Sequence, residues 1–428
     1  MHFATCCEDI RRSAIICGLT VIIILHLSSL YPPASVGGAE RVASILAETQ
    51  AQQGHSVYAS SLVRRPTGEF RRHGVAVRPL RARNPLWIED TARYSAPIRL
   101  ANKAATVLNW RVSSEFGALL DDIRPEVLHT HSMVELPPAV WDEAARRGVP
   151  IVHTLHDYDL LCIRAALFKD GRKCHPRHTA CRALSTPKRA LHDRISAVAA
   201  VSRTVLDVHL AHGLFTHLAP ETRQVVWNPA QLERGSHGRK PRASGAPLRF
   251  GFLGRLVTEK GLGLLLNACS SLPASGWTLR IAGEGRDRAT FEQQARHLPV
   301  TFGGHVDAAQ FLSEIDVLVC TPLWDEPFGL TTLEAYAAGC RVIGSASGVI
   351  GELVQRVEPG WSVPPNDAEA LAAAMARAIG DDSALPAERQ FAVEALLEEL
   401  EPDSVSQTYL DLYKAVGAGA AAPSAAHR

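Results

Sequence analysis

Short apolar runs alternate with helix-patterned stretches twice along this chain, once on each side of a polar break at residues 229–247. Before the break the runs are VIIILHL (21–27), SVYAS (56–60), VLHTHS (127–132), VPIVHTLHD (149–157) and ISAVAAVS (195–202). After it come LRFGFLG (248–254), WTLRIAG (277–283), VTFGG (300–304), DVLVCT (316–321) and RVIGS (341–345). Near-continuous Val and Ile runs suit strands buried on both faces, and parallel strands need helical crossovers of one hand. Two consecutive α/β units, each a doubly wound parallel sheet, are therefore expected. The 428 residues are enough for two such domains.

The expected organisation is an extension of unassigned role at 1–18, an amino-terminal Rossmann-like domain at 19–228 and a linker at 229–247. A carboxyl-terminal Rossmann-like domain follows at 248–402, then a helix at 403–417 and a disordered tail at 418–428. Val405, Tyr409, Leu412 and Tyr413 form one apolar stripe on that last helix. The run at 14–27 follows Arg11 and Arg12 and has the look of a signal-peptide core or anchor. It leads directly into PPASVGGAER, however, and its removal would cost the domain its first strand, so it is read as that strand.

The formal net charge of +1 gives no general attraction to nucleic acid. Locally, Arg64, Arg65, Arg71, Arg72, Arg78, Arg81 and Arg83 crowd one region. A solvated loop face is the simpler reading; the functional one is peripheral contact with anionic membrane or a phosphorylated acceptor. Nine scattered cysteines in a long chain do not form a disulfide framework, which points to reducing cytoplasm.

Ligands of open parallel sheets sit beyond the carboxyl ends of the strands, so a ligand shared by both domains belongs in the cleft between them. Three stretches face that place. In LGRLVTEKG, Gly254 permits close backbone approach, Arg255 can fork onto phosphate oxygens, and Lys260 adds a mobile charge. Gly283, Glu284 and Gly285 end a strand, where missing side chains would leave room for a ring, although a plain turn explains them equally. In DEPFGLTTLEAYAAG, Glu326 precedes Phe328, Gly329 and Leu330, whose N–H groups lie at a helix start, and Glu334 follows in the first turns.

Together, GGAE after the first strand, GRLVTEKG, GEG, GGHVD and the spacing of Glu326 and Glu334 resemble the retaining glycosyltransferases of family 4, with the GT-B fold. The resemblance runs from about residue 21 to 416. It implies two Rossmann-like domains facing each other across a cleft, with a carboxyl-terminal helix crossing back to the first. It implies an enzyme that moves a sugar from a nucleoside diphosphate to a hydroxyl of a glycan, glycolipid or lipid-linked acceptor, with retention and without a metal or other cofactor. Arg255 and Lys260 would bind the donor diphosphate, Glu334 the ribose and Glu326 the donor sugar. Gly37 and Gly38 would frame the diphosphate or acceptor side, and His131 and His156 would face sugar or acceptor. The stretch HTLHDYDLLCIRAALFKDGRKC is similar to a bacterial polysaccharide and glycolipid subgroup. Thr321, Pro322, Arg341 and Val349 depart from the family pattern and bear on the sugar pocket.

Three other readings compete. Asp157, Tyr158 and Asp159 spell the D-x-D of metal-dependent transferases. Cys162, Cys174 and Cys181, with His175 and His178, could hold zinc but lack a close C-x-x-C pair. A catalytically silent nucleotide-sugar binder or membrane-associated assembly protein of the same fold is the remaining alternative.

Overall fold

Ile23–Leu27 (β1) and Ser56–Ser60 (β2) lie parallel, joined by the helix Gly38–Gln52 (α1), the crossover that parallel strands require. The computed structural model describes residues 20–34, 37–65, 68–230, 232, 242–243, 245–381 and 386–418. The extension at 1–18, most of the connector and the tail beyond 418 lie outside these residues.

The first sheet adds Phe70–Arg72 (β3), Val75–Val77 (β4), Val127–Thr130 (β5), Ile151–Leu155 (β6), Ala197–Ala200 (β7) and Arg223–Val225 (β8). Its eight strands run in the order β8-β7-β6-β5-β1-β2-β4-β3, and only β3 is antiparallel to its neighbour. Because side chains alternate along a strand, β1 feeds both faces. Leu25 and Leu27 join one core and Ile24 the other. Two helices that the sequence reading did not identify, Ala96–Val107 (α2) and Trp110–Ile123 (α3), lie between β4 and β5. The helix Arg203–Ala211 (α4) follows β7.

The second sheet contains Leu248–Leu253 (β9), Trp277–Ala282 (β10), Val300–Gly304 (β11), Val317–Cys320 (β12), Arg341–Ser345 (β13) and Ser362–Val363 (β14). All six are parallel, in the order β11-β10-β9-β12-β13-β14. The helices Leu262–Cys269 (α5), Leu330–Ala337 (α6) and Gly348–Val357 (α7) follow β9, β12 and β13. Strand order reverses between β1 and β5 in the first sheet and between β9 and β12 in the second. These switch points open at the carboxyl ends of the strands and define where a ligand can enter.

The helix Pro402–Ala415 (α8) returns to the amino-terminal half as expected. Its Val405, Tyr409, Leu410, Leu412 and Tyr413 are buried with Leu46 and Ala47 of α1 and with Ile24 and Val57. At ~1.5–3 kcal/mol for each large apolar side chain removed from water, this face is enough to hold the helix there.

The halves also meet beside the cleft. Lys173 reaches Asp325 Oδ1 at 2.6 Å and Ser347 Oγ at 3.2 Å, and the Tyr158 hydroxyl donates to Asp325 O at 3.0 Å. Glu352 of α7 accepts from the N–H groups of Arg203 (3.0 Å) and Thr204 (2.7 Å), capping α4 from the opposite half.

Candidate active site

At the end of β9 the chain turns through Gly254 and Arg255, and loops from β10 and β12 close around it. Gly254 N donates to Ala282 O at 3.0 Å, and Leu256 N to Glu284 O at 2.9 Å. A Cβ on Gly283 would stand 1.9 Å from Gly254 O, and one on Gly285 would stand 2.2 Å from Leu256 O. The GEG glycines thus allow two backbones to touch, a different use from the open floor suggested by sequence. Glu284 is exposed and bonded to Arg288 at 2.7 Å. Arg255 is exposed, and its guanidinium has no partner among the described residues.

Lys260 ends the short turn Thr258–Lys260, just before α5. Gly261 follows at φ +76°, and a Cβ there would lie 1.8 Å from Thr321 O, so the Lys260 loop rests directly on the end of β12. That approach brings Lys260 Nζ to 2.6 Å from Glu326 Oε1.

The other side of this loop is the start of α6, with Gly329 at φ +63° as its cap. Phe328 packs against the cores of both halves, with its ring 6.3 Å from that of Trp227. The N–H groups of Phe328, Gly329 and Leu330 have no hydrogen-bond partner among the described residues. They form, with Arg255 and Lys260, a positively polarised end to the cleft. Glu334 sits just inside the helix. Burial raises its carboxyl above the usual range, opposed in part by the positive charge of Arg41 on α1. Arg41, which the sequence reading did not assign, thus stands near enough to Glu334 for its charge to act on it; its signal was its place in GGAER, shortly after the assigned glycines.

On the amino-terminal side, Gly37 caps α1 and its N–H is taken by Glu40 Oε2 at 3.1 Å, so it is not free for a phosphate. Gly38 borders open space. His131 follows β5 and His156 follows β6, and the two are joined, Nδ1 of the first to Nε2 of the second, at 3.1 Å. Burial lowers the His131 imidazole well below its usual range and the His156 imidazole to about 3, so both are neutral at physiological pH. Behind them lie His26, Gln50 and His129, none of which the sequence singled out.

The competing sites have local explanations. Asp159 is bonded to Lys188 at 2.8 Å, and its own N–H donates to Asp157 Oδ1, also at 2.8 Å. Burial, reinforced by the neighbouring Asp159, pushes the Asp157 carboxyl well above the carboxylate range, a poor state for a metal ligand. Among the described residues, the side-chain groups close enough together to hold a metal do not include Cys162, Cys174 and Cys181. His26, His129 and His131 are close enough, yet their ring nitrogens are all engaged in hydrogen bonds with one another or with neighbours.

Two facing Rossmann-like halves, a helix crossing back and a cationic loop paired with a helix start in the cleft define a glycosyltransferase of the GT-B class. The family model for "Glycosyltransferase Family 4" matches residues 36–234, and that for "Glycosyl transferases group 1" matches residues 247–381. The chain belongs to this group 1, family 4 lineage of glycosyltransferases. It is 26% identical over 334 residues to an uncharacterized 42.6 kDa protein in the cps region of Klebsiella pneumoniae, covering 77% of this chain and 87% of that protein. It is 28% identical over 427 residues to the glycogen synthase of Mycobacterium tuberculosis, covering 94% and 96%. Among solved structures it resembles Anabaena Alr3699/HepE in complex with UDP, with a TM-score of 0.66 at 16% identity, over 92% of this chain and 100% of that one.

Proposed function

We propose that this enzyme transfers a glycosyl group from a nucleoside diphosphate sugar to an acceptor hydroxyl, with retention of configuration. The observation that carries the reading is the Lys260–Glu326 ion pair, which sets the loop that follows β9, with Arg255 exposed in it, against the segment whose unbonded N–H groups start α6. The acids Glu326 and Glu334 stand beside them. In the reaction, the bond from the anomeric carbon to the β-phosphate oxygen breaks and a bond to the acceptor oxygen forms. The acceptor proton passes to the leaving phosphate, on the same face of the sugar. Charge grows on that phosphate, and fixed cations and dipoles aimed at it lower the barrier. Lys260 is held toward the phosphate position by its ion pair with Glu326, which would itself border the sugar. Glu334 would accept hydrogen bonds from the ribose hydroxyls, and His156, backed by His131, would meet a sugar hydroxyl. The cationic loop supplies the charge that a divalent ion supplies in other transferases, so turnover is expected to persist in a chelator. Inhibition reversed by magnesium or manganese would contradict that part. That Alr3699/HepE has been crystallised with UDP-glucose supports a nucleotide-sugar donor.

For the acceptor, the reading is a glycan or lipid-linked hydroxyl presented at an anionic membrane surface. The arginine region at 64–83 is largely occupied: Arg64, Arg72, Arg78 and Arg83 pair with Asp90, Glu48, Glu69 and Glu115. A better face surrounds α2. Tyr94, Ile98, Leu100, Leu108 and Trp110 are five of the seven exposed large apolar side chains among the described residues. Residues 93–111 contain no acid; Arg93 and Lys103 pair with Asp90 and Glu135 outside the segment, which leaves Arg99 and Arg111 as its cations without an acidic partner among the described residues. A basic segment with apolar side chains outward suits the interface of anionic lipid. Vesicles of phosphatidylcholine with phosphatidylglycerol should pellet the protein, pure phosphatidylcholine should do so less, and Ile98→Asp with Trp110→Asp should abolish pelleting. Equal recovery with both vesicle types would contradict the membrane reading.

A further inference from the structure

Two imidazoles and a carboxylate meet at the amino ends of the first sheet, away from the cleft. His192 and Asp193 lie in the short turn His192–Arg194 that leads into β7, and His217 lies on the turn that follows α4. His192 Nε2 is 3.1 Å and His217 Nδ1 3.4 Å from one and the same oxygen, Asp193 Oδ1. The ligand atoms of all three residues lie within 4.8 Å of one another. Ser196 N donates to Ile151 O at 2.8 Å, which puts the His192 turn where β6 and β7 begin, whereas the cleft opens where parallel strands end.

The His192 ring is fixed without any ligand. Its Nδ1 is bonded to the carbonyl of Arg189, and it meets the buried Phe215 ring edge-on at a centroid distance of 5.6 Å. A carbonyl oxygen only accepts, so Nδ1 carries the proton, and turning the ring over would forfeit both nitrogen contacts. In the neutral imidazole, Nε2 is then a bare lone pair set against a carboxylate oxygen. Two acceptors at 3.1 Å need a cation between them, either a proton or a metal ion. The neighbouring arginines do not serve. Arg194 pairs with Asp142 at 3.3 Å, and Arg189 donates to His212 O at 2.9 Å. An Nδ1–H bonded to a backbone carbonyl, with Nε2 left bare, is also how a metal-binding imidazole is oriented. The spacing agrees. Bonds of ~2.0–2.2 Å at tetrahedral angles place ligand atoms roughly 3.3–3.5 Å apart, close to the 3.1 and 3.4 Å found here.

We propose that His192 Nε2, His217 Nδ1 and an Asp193 oxygen bind a zinc ion, with water as the fourth ligand. Two neutral imidazoles and one carboxylate bring a single negative charge and the mixed nitrogen and oxygen donors that zinc accepts. The ion would tie the turn entering β7 to the turn leaving α4, the helix whose other end Glu352 caps. Its role is to brace this part of the fold. It stands at the opposite end of the sheet from the cleft, so it is compatible with a transfer reaction that persists in a chelator.

The test is a zinc titration of the full chain after chelator treatment and dialysis, against a competing zinc indicator, with the melting temperature read in parallel. One equivalent should bind at micromolar free zinc and raise the melting temperature by about 2–5 °C. Asp193 and His217 are exposed, so His217→Ala and Asp193→Asn should fold as the wild type does. Each should weaken zinc binding by at least roughly tenfold. Cobalt in place of zinc should give the visible bands of a four-coordinate ion in the wild-type protein and lose them in both variants. Absence of a bound equivalent in the wild-type protein, or wild-type affinity in either variant, overturns the proposal. If one variant fails to fold, the other decides. Neither readout uses turnover, so the result stands apart from the reading of the cleft.

Discussion

Lys260 and Glu334 are assigned to different parts of one ligand, which makes them separable by kinetics. Lys260→Ala removes a charge that matters most as the leaving phosphate gains charge, so kcat should fall by roughly a hundredfold while donor affinity changes less. Glu334→Ala removes contacts present before and during reaction, so donor affinity and turnover should fall together. Arg255→Lys should not restore function, because a point charge cannot replace a planar fork. Steady-state kinetics with a titration of nucleoside diphosphate reads all three, and equal effects on affinity and turnover in both alanine variants would contradict the division. These residues were legible because each lies in a compact stretch, LGRLVTEKG or DEPFGLTTLEAY, where a glycine turn and a charge announce themselves. The hydrogen bonds behind His131 were not. His26 and His131 are 105 residues apart, and Gln50 and Tyr413 are 363 apart, so no local pattern links them. A histidine within VIIILHL signals only that something buried must satisfy it.

Among the elements, the parallel strands were the most legible, since β-branched runs mark strands buried on both faces; β2 spans the expected 56–60. The region from 64 to 123 was not. Its β3–β4 hairpin is only three residues a side, and the chain from Arg93 through Ala101 stands largely in water as it enters α2, so no apolar stripe marks it. The final helix was legible as an apolar stripe, whereas the hydrogen bonds of Tyr409 and Tyr413 were not. Leu412 is 1% exposed on that helix. Leu412→Ala should therefore destabilise the protein by about 2–5 kcal/mol in denaturant titration, and a change well below 1 kcal/mol would mean that the helix is not firmly docked. Glu352→Ala should cost about 0.5–2 kcal/mol through loss of the α4 cap. Glu352, on the opposite half, thus joins the two halves.

For the whole molecule, acid stability follows from seven histidines whose folded pKa values burial depresses: His26, His55, His129, His131, His153, His156 and His209. Unfolded, each takes up a proton below about pH 6.5; folded, His26, His153 and His209 resist until about pH 4 and His156 until about pH 3, and the others are shifted in the same direction. The unfolded state therefore binds more protons in that window, and stability is lost as pH falls, by up to about 1.4 kcal/mol per pH unit for each histidine. Asp157, Glu334 and Glu358 are shifted upward by burial and act in the opposite sense, but they are fewer. The melting temperature should drop steeply from pH 6.5 to pH 4, and a flat profile would contradict the buried neutral network. The most direct test of glycosyl transfer from a nucleotide sugar is release of nucleoside diphosphate across a panel of nucleotide sugars, with thermal stabilisation recorded in parallel. At least one donor should raise the melting temperature of the wild-type protein and be cleaved by it, with release strongly reduced in Lys260→Ala. Absence of both stabilisation and release across the panel, at saturating concentrations, would contradict the assignment.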